Sequence, residues 1–350
     1  MTLGINRLRR LAALSLIVIG TFAVSTAAPA GEIDDFYRGK TLTMVVGYPP
    51  GGSYDLYARM IARYLGNHIP GQPKLIVQNM PGAGSLLAAN HIANVAPQDG
   101  TFIGAVSATT PFTPLLEPNA ARFDAAKINW MPSPASFIVV TLVWHSSPAK
   151  TFADLKSNEV LMATLNPSST PSFLATILNE VLKTKIKLVY GYTSMAQSLL
   201  AMERGEAEGY PSVPIDSLRR SYPQLLAEKK VRLLLQLGGA PSPDFPDVPF
   251  VLDQAESQED RQLLDMSLAS LKIGYPYLIG PNVPKARVAA LRKAMMDTFA
   301  DPEFKADAAK QTLDVAPVTG DEVQRIIEDV YNSPPALRDR LRAIYLKQAQ

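Results

Sequence analysis

The most informative stretch of the sequence is Thr41-Leu-Thr-Met-Val-Val46, which runs directly into Gly47-Tyr-Pro-Pro-Gly-Gly52. The first part is short, apolar and β-branched, and the second is rich in Gly and Pro, so together they predict a strand ending in a turn. Apolar residues then recur at the spacing of one helix face, at Tyr57, Met60, Ile61, Tyr64 and Leu65. The stretch therefore predicts one strand–turn–helix unit.

The same unit recurs along the chain. Leu75–Val77 leads into Pro81-Gly-Ala-Gly84, and Thr101–Val106 leads into Ser107-Ala-Thr-Thr110. Strands that are joined by helices in this way form parallel sheets. Further strands are predicted at Phe137–Trp144, Leu161–Leu165, Lys185–Tyr190, Val231–Leu237 and Ile273–Ile279, and the segment from Ala286 onward is predicted to be mainly helical. We therefore expect an α/β fold with two similar domains, each built on a mainly parallel sheet.

The first thirty residues have the features of a secretory signal peptide. Arg7, Arg9 and Arg10 precede the apolar run Leu11–Val24, and Ala28-Pro29-Ala30 fits the A-x-A cleavage pattern. We expect cleavage near Ala30 and a periplasmic mature protein. A membrane anchor is the alternative, although the apolar run is short for a membrane span.

The composition excludes several function classes. The chain has 350 residues, with 34 Lys and Arg, 32 Asp and Glu, three His and no Cys. Without Cys there are no disulfides, zinc–thiolate sites or cysteine nucleophiles, and His68, His91 and His145 are too far apart for a short metal-binding motif. Removal of the leader takes away three arginines and leaves a net charge of −1, which argues against nucleic-acid binding. We expect no metal and no cofactor.

The strand-end turns are the expected place for a ligand, because open parallel sheets bind ligands at the carboxyl ends of their strands. Their glycines let a ligand approach the backbone, and their hydroxyls add neutral donors. No Lys or Arg occurs in residues 47–58, 79–121 or 166–182, so an anion there would be held by amides, hydroxyls and water. The alternative is that these residues only punctuate loops and cap helices.

Enzyme motifs are weak or incomplete. Gly82-Ala-Gly-Ser-Leu-Leu87 matches only the front of a dinucleotide-binding fingerprint, because Leu87 replaces the third Gly. The sequence has no Walker A motif, no G-x-S-x-G elbow and no H-E-x-x-H motif. A hydrolytic triad can be drawn from Ser85, His91 and Asp55, so a periplasmic hydrolase is an alternative to the non-enzymatic binding protein that we expect.

Three motifs in the first third of the chain form a set. They are Tyr48-Pro-Pro-Gly-Gly-Ser-Tyr-Asp55, Val77-Gln-Asn-Met-Pro-Gly-Ala-Gly84 and Ala96-Pro-Gln-Asp-Gly100. Together they closely resemble the motifs of the substrate-binding receptors of tripartite tricarboxylate transporters, the Bug family. Looser matches at Tyr192–Glu208 and Pro246–Pro249 extend the resemblance over nearly all of the mature chain.

The resemblance implies a two-domain periplasmic-binding-protein fold of the Venus flytrap kind, type II-like. Domain 1 would combine residues 31–136 with 271–350, and domain 2 would span 137–270. It also implies a monomeric receptor that captures a small carboxylate, either a dicarboxylate or an aromatic acid, between the domains. The receptor would deliver this ligand to integral-membrane transporter subunits. A receptor that serves a sensor kinase is the alternative.

The expected ligand-binding residues lie in the strand-end turns, most of them within or beside the family motifs. The first domain would contribute Tyr48, Gly51, Gly52, Ser53, Asp55, Ala83, Gly84, Ser85 and Ser107. The second would contribute Ser168, Ser169, Thr170, Tyr192, Thr193 and Ser194. Thr193 and Ser194 depart from the family, which often has a basic residue and a Gly at these places.

Overall fold

The computed structural model describes residues 30–167 and 169–348. Residues 1–29, which make up nearly all of the predicted signal peptide, and the candidate ligand residue Ser168 lie outside the described residues. Among the helices of the described ranges, none combines the length and the apolar character that a membrane crossing requires.

The strands follow the predicted strand–turn–helix units. In chain order they are β1 (Thr41–Val46), β2 (Lys74–Asn79), β3 (Phe102–Ala105), β4 (Asn129–Met131), β5 (Val139–Trp144), β6 (Val160–Ala163), β7 (Ile186–Val189), β8 (Gly209–Pro214), β9 (Val231–Leu237) and β10 (Tyr277–Ile279).

These strands form two five-stranded sheets with the same plan. The first sheet has the order β2-β1-β3-β10-β4, and the second sheet has the order β7-β6-β8-β5-β9. In each sheet the fourth strand runs antiparallel to both of its neighbours, and the other four strands are parallel to one another. The expected α/β class with a mainly parallel sheet in each half is therefore confirmed.

Helices connect and cover the sheets. In chain order they are α1 (Ala30–Tyr37), α2 (Ser53–His68), α3 (Leu86–Asn94), α4 (Thr113–Leu116), α5 (Phe152–Ser157), α6 (Thr170–Leu182), α7 (Met195–Glu203), α8 (Ile215–Ser221), α9 (Pro223–Ala227), α10 (Gln258–Ser267), α11 (Ala269–Ile273), α12 (Lys285–Ala300), α13 (Pro302–Lys310), α14 (Gly320–Asn332) and α15 (Pro335–Gln348). Short 3-10 turns lie at Ala83–Ser85, Thr110–Phe112 and Val251–Gln254.

The first unit forms as its periodicity predicts. β1 has a run of buried residues because helices cover both of its faces: Val45 packs with α3, and Met44 packs with α2. α2 buries the predicted face, including Met60, Ile61 and Leu65. Full burial of one such side chain is worth about 1.5–3 kcal/mol relative to exposure. The turn between β1 and α2 is therefore anchored at both ends.

Some strand predictions are wrong. Ile273–Ile279 is not a single strand, because α11 ends at Ile273, Gly274 follows with a φ of 58°, and only β10 is extended. The predicted strand at Phe137–Trp144 begins two residues later and runs antiparallel to its neighbours. Two strands were not predicted from the sequence. β4 has only three residues, and β8 contains prolines, which are typical of edge strands, although β8 lies inside the second sheet.

The two segments that join the halves run side by side. The N–H of Phe137 donates to the carbonyl oxygen of Leu271 at 2.8 Å, and the N–H of Tyr275 donates to Oγ of Ser133 at 3.1 Å. Only glycine fits at Gly274, since a Cβ there would lie 1.9 Å from the carbonyl oxygen of Ala135. The two crossings therefore form one narrow connection.

The last helix, α15, packs against both halves. It contacts α4 beside the first sheet and α6 beside the second sheet. The rings of Tyr345 in α15 and Phe173 in α6 have centroids 6.0 Å apart, and Oη of Tyr345 donates to Oε1 of Glu117 at 2.5 Å. The expected domain limits, 31–136 with 271–350 and 137–270, stay a prediction.

Candidate ligand-binding site

One buried serine ties together the turns that follow β1, β2 and β3. Ser85 is 1% exposed, and its Oγ donates a hydrogen bond to the carbonyl oxygen of Gly47 at 3.3 Å. The same Oγ accepts a hydrogen bond from the N–H of Ser107 at 3.1 Å. Because the three residues follow three neighbouring parallel strands, Ser85 fixes the relative positions of all three turns.

The second turn approaches the first so closely that only glycine fits at Gly47. A Cβ at this position would lie 2.5 Å from Cβ of Ser85. Ala83, Gly84 and Ser85 have φ values of 46°, 60° and 75°, so three consecutive residues of the second turn lie in the left-handed region. A conformation of this kind persists where surrounding contacts over-determine it. The buried hydrogen bonds of Ser85 are such contacts.

A buried carboxylate orders the first turn from within. Asp55 is 2% exposed. Its carboxylate accepts hydrogen bonds from the N–H of Gly51 at 2.9 Å, Nε of Arg59 at 2.9 Å and Nδ2 of Asn79 at 2.8 Å. Nδ2 of Asn79 also donates to the carbonyl oxygen of Tyr48 at 2.9 Å. Both carboxylate oxygens are thus engaged inside the turn, and a direct contact of Asp55 with a ligand stays a prediction.

These hydrogen bonds also determine the charge state of the turn. Burial raises the pKa of the Asp55 carboxyl, but the donors on Arg59, Asn79 and Gly51 together lower the pKa by more, so it lies below its ordinary value. Asp55 is therefore ionised at neutral pH. Its charge is balanced by Arg59, which pairs with it at the i,i+4 spacing of a helix.

The other side of the first turn is exposed. Gly51, Gly52 and Ser53 all face solvent, and Gly52 precedes α2 without supplying a capping side chain. The first amides of a helix have no partner within the helix and lie at the positive end of its dipole. The exposed turn therefore offers backbone donors of the kind that bind anions.

Two stacked tyrosines border this turn. The ring centroids of Tyr48 and Tyr54 are 4.4 Å apart, with an angle of 16° between the planes. Oη of Tyr54 accepts a hydrogen bond from the N–H of Ala108 at 3.1 Å, which joins the first turn to the third. Burial, with Tyr48 as the next contribution, raises the pKa of Tyr54, so its phenol stays neutral. Tyr275, in the connection between the sheets, packs edge-on against Tyr54 with centroids 5.0 Å apart.

In the turn after β6, in the second sheet, hydroxyl groups bond to one another and to the backbone of the same turn. Oγ of Ser169 donates to the carbonyl oxygen of Asn166 at 2.8 Å and lies 2.9 Å from Oγ of Ser172. Oγ1 of Thr164 lies 3.0 Å from Oγ of Ser172. Thr170 is the exposed first residue of α6. These contacts all fall within residues 164–172.

The turn after β7 is joined to the turn after β6 by a hydrogen bond from the N–H of Gly191 to the carbonyl oxygen of Leu165 at 3.1 Å, and its side chains bond locally. Oγ of Ser194 accepts a hydrogen bond from the N–H of Gln197 at 3.3 Å, so Ser194 caps α7. The N–H of Thr193 donates to Oε1 of Gln197 at 2.9 Å. Tyr192 is half-buried against the core under α7. Contacts of these three candidates with a ligand stay a prediction.

A cavity of about 120 Å³ lies where the two halves meet. Thr109 and Phe112, which follow β3, line it from the first half, and Ser169, Thr170 and Phe173 line it from the second half. The structure thus brings two of the predicted site residues, Ser169 and Thr170, to a common cavity with the third turn of the first sheet. The candidates of the first turn and of the turn after β7 do not line this cavity.

The hydrolytic triad is not assembled. The hydroxyl of Ser85 donates to a backbone carbonyl, the carboxylate of Asp55 is taken up by the first turn, and the ring of His91 packs against Phe102 with centroids 6.1 Å apart. Within residues 30–167 and 169–348, no three His, Asp or Glu side chains are grouped so that they could hold a metal ion.

Three residues that shape the first turn were not predicted from the sequence, namely Arg59, Asn79 and Tyr275. The signal for Arg59 was its i,i+4 spacing from Asp55, just beyond the basic-free stretch. Asn79 stood inside the second motif, but its link to the first turn is a contact between strands. Tyr275 comes from a distant part of the chain and has no local signal.

A pair of carboxyl groups lies at the junction of the two halves. Asp216 belongs to α8 of the second half, and Asp314 precedes α14 of the first half. Burial and the neighbouring Asp314 carboxyl raise the pKa of Asp216 to about 6. Nη1 of Arg220 lies 3.7 Å from Oδ2 of Asp314, and Oη of Tyr57 donates to the carbonyl oxygen of Asp314 at 2.8 Å. The pair therefore adjoins the helix that follows the first turn.

Comparisons with known proteins identify the family. The tripartite tricarboxylate transporter family receptor, TctC, matches residues 57–341. The UPF0065 protein in the gbd 5'region of Cupriavidus necator is 28% identical over 250 residues, which is 67% of this chain and 70% of that protein. The family match alone covers most of the chain.

Solved structures share the fold. The crystal structure of a TctC solute binding protein from Polaromonas has a TM-score of 0.70 at 16% identity, covering 89% of this chain and 99% of that chain. MatC from Rhodopseudomonas palustris, solved with bound malate, has a TM-score of 0.56 at 20% identity, covering 87% of this chain and 99% of that chain. Family and fold are those of solute-binding proteins, and receptors of this family are periplasmic. The chain belongs to the tripartite tricarboxylate transporter receptor family.

Proposed function

We propose that this protein captures a small carboxylate between two domains and delivers it, as a monomeric periplasmic receptor, to integral-membrane subunits of a transporter. The observation that carries the proposal is the exposed first turn at the start of α2, whose backbone is held from behind by Asp55, which accepts from the N–H of Gly51, and by Ser85, which donates to the carbonyl oxygen of Gly47. Arg59, the cation that adjoins this turn in α2, is paired with Asp55. Malate in MatC supports a carboxylate as the ligand class.

Neutral donors suit reversible capture. A cation in the cleft would have to be desolvated whenever the cleft closed without a ligand, and such desolvation is costly. Amides and hydroxyls exchange water for ligand oxygens at a smaller cost. The residues proposed to contact the ligand are Gly51, Gly52, Ser53, Ala83, Gly84, Ser107, Ser168, Ser169, Thr170, Thr193 and Ser194, with Tyr48, Tyr54 and Tyr192 as walls. Asp55 and Ser85 are proposed to act mainly by holding the turns.

The proposed mechanism is closure of two domains, residues 31–136 with 271–350 and residues 137–270, about the double connection near Gly274. A ligand that contacts both domains stabilises the closed form, and only this difference in contact shifts the equilibrium. The closed form would then be the one that docks on the transporter. Export would require cleavage of the leader near Ala30.

The first test is ligand-induced thermal stabilisation. Protein freed of ligand is heated with malate, succinate, adipate or benzoate, and with the corresponding amides as uncharged controls. A ligand that binds only the native state at 100 times its Kd adds about 2.7 kcal/mol of stability. We expect at least one carboxylate to raise the Tm and its amide to have no effect. If a broad set of mono-, di- and aromatic carboxylates leaves the Tm unchanged, the proposed function is wrong.

A charge placed on the first turn locates the site. No atom lies within 4 Å of a Cβ built on Gly52, and its φ of −80° suits any residue, so Gly52→Glu should fold normally. We expect Gly52→Glu to bind the carboxylate at least tenfold more weakly than the matched neutral variant Gly52→Gln, because two like charges repel at close range. Calorimetry measures both affinities. Equal affinities of the two variants would remove the first turn from the site.

A further inference from the structure

We propose that the ligand is a carboxylate with one apolar tail, of the arylalkanoate type, and that its tail fills the cavity between the third turn of the first sheet and α6. The inference rests on the proposed capture of a carboxylate and specifies which carboxylates are taken. It predicts a preference for monocarboxylates with an apolar end over compact dicarboxylates.

The walls of the cavity are apolar and carry no charge. None of the side chains that line it is charged at neutral pH. Six of them are large and apolar, namely Phe112, Leu116, Phe173, Met266, Val330 and Leu341. Its volume is about 120 Å³. A cavity of about 150 Å³ with similar walls binds benzene in an engineered protein. The cavity is therefore close to the size of one aromatic ring or a short alkyl chain.

Most hydroxyl groups that line the cavity already donate a hydrogen bond to another group of the protein. Oγ1 of Thr113 donates to the carbonyl oxygen of Thr109 at 3.3 Å, and Oγ of Ser267 donates to the carbonyl oxygen of Leu263 at 2.6 Å. Oη of Tyr345 donates to Glu117 in the same way, and Ser169 donates to Asn166. A hydroxyl has a single proton, so these groups can accept a hydrogen bond from a ligand but cannot donate one.

A second carboxylate would therefore be poorly held in this cavity. It would lose its water there, and four of the lining hydroxyls, those of Thr113, Ser169, Ser267 and Tyr345, already donate to the protein. Burial of an uncompensated carboxylate is expensive. The carboxylate of Glu117, which accepts from Tyr345, adds like charge behind the wall. A hydrocarbon tail, in contrast, gains from burial.

The cavity is connected to the first turn by a continuous series of contacts. Oγ1 of Thr109, in the cavity wall, lies 3.0 Å from Oγ of Ser107. Ser107 is bonded to Ser85 of the second turn, and its neighbour Ala108 is bonded to Tyr54 beside the first turn. The proposal accordingly places the carboxylate on these turns and the tail along the third turn, with its end in the cavity.

The experiment compares ligands and then fills the cavity. Calorimetry on the full-length mature protein, freed of ligand, measures the affinities for 3-phenylpropionate, adipate and malate. We expect 3-phenylpropionate to bind at least tenfold more tightly than either dicarboxylate. Thr113→Phe adds a ring to the half-buried wall and should weaken 3-phenylpropionate at least tenfold, while acetate, which has no tail, should lose less than twofold. Ala309→Phe, on the exposed face of α13, is the matched control and should change no affinity.

The outcomes separate this inference from the function on which it rests. Binding of malate or adipate at least as tight as that of 3-phenylpropionate overturns the apolar-tail inference and leaves the carboxylate receptor intact. If no carboxylate binds, both fail. If Thr113→Phe has a lowered Tm without ligand, Leu116→Phe serves as the second filling variant. An unchanged affinity for 3-phenylpropionate in a folded filling variant also overturns the inference.

Discussion

The two sheets have the same strand plan, but their strand-end turns are held in different ways. In the first sheet, hydrogen bonds run from one turn to another, from Ser85 to Gly47 and to Ser107. In the second sheet, the side chains of Ser169 and Ser194 bond to Asn166 and Gln197 of their own turns, and a backbone hydrogen bond from the N–H of Gly191 to the carbonyl oxygen of Leu165 joins the turns after β6 and β7. The same topology therefore supports one set of turns that a buried side chain locks together, and a second set in which these two serines bond within their own turns.

This difference separates two roles within a ligand site. The interlocked turns present backbone donors in a fixed arrangement, which suits the part of a ligand that all members of a class share. A turn that is held only locally can change its side chains without disturbing its neighbours. We infer that the carboxylate is received by the first sheet and that selectivity for the rest of the ligand depends on the second sheet and on the cavity.

The largest expected effect comes from a methyl group between the first two turns. Gly47→Ala would place its Cβ 2.5 Å from Cβ of Ser85, whereas Gly52→Ala, in the same turn, meets no atom within 4 Å. Overpacking of a close contact costs about 1–3 kcal/mol. We expect Gly47→Ala to lose stability at or above the top of this range and Gly52→Ala to lose almost none, as measured by denaturant unfolding. Equal losses would show that the two turns are not tightly interlocked.

A smaller effect is expected from a matched pair of Ser→Ala substitutions. Ser85→Ala leaves the buried N–H of Ser107 without its acceptor, which costs about 1–3 kcal/mol. Ser194→Ala removes a helix cap, which costs typically about 1 kcal/mol.

Hydrogen exchange distinguishes the reach of these two changes. Ser85→Ala should speed exchange in the turns after β1, β2 and β3 together, while Ser194→Ala should affect only the start of α7. If the effects of Ser85→Ala stay within its own turn, the contrast between the two sheets is wrong.

The smallest effect concerns the carboxyl pair between the halves. The pKa of Asp216 is about 6 in the folded protein, above its ordinary value, because of burial and Asp314. Between the ordinary pKa of an aspartate and a pH of about 6, the Asp216 carboxyl is protonated in the folded state but ionised in the unfolded state. The protonated carboxyl favours folding, and this contribution to the free energy of unfolding is lost as the pH rises through 6. Asp216→Asn should raise the stability at pH 7.5 and have little effect at pH 4. Because Asp216 is 36% exposed, we expect a gain of less than about 1 kcal/mol.

Unfolding at the two pH values measures this difference. Asp339→Asn, which replaces an aspartate on the exposed face of α15, is the control. A larger gain at pH 4 than at pH 7.5 would contradict the assigned sign.

Local sequence patterns predicted β1, β2 and β3 of the first sheet and the turns that follow them. β1 and α2 follow from their periodicities, and Gly51 and Gly52 mark the turn between them. Patterns of this kind fail where the cause is a contact between distant residues. Ser85 reads as an accessible hydroxyl in a glycine-rich turn, yet packing against Gly47 buries it.

The same limitation explains the missed elements. β8 is inside the second sheet although Pro211 and Pro214 within it are typical of turns, because β5 and β6 flank it on both sides. The cavity walls come from five separate segments, and no local pattern could associate them. Ser169 and Thr170 were predicted as site residues, but the apolar surface beside them was not.

The position of β10 between β3 and β4 has a consequence for the order in which the chain folds. As the chain emerges N-terminus first, β3 and β4 are available long before β10. All five strands of the second sheet lie between β4 and β10 in the sequence. The second half can therefore assemble as a contiguous unit while the first half still has a gap in the middle. Until β10 fills it, β3 presents an open edge of the kind that promotes mispairing. The last strand to be made is thus the one that completes the first sheet.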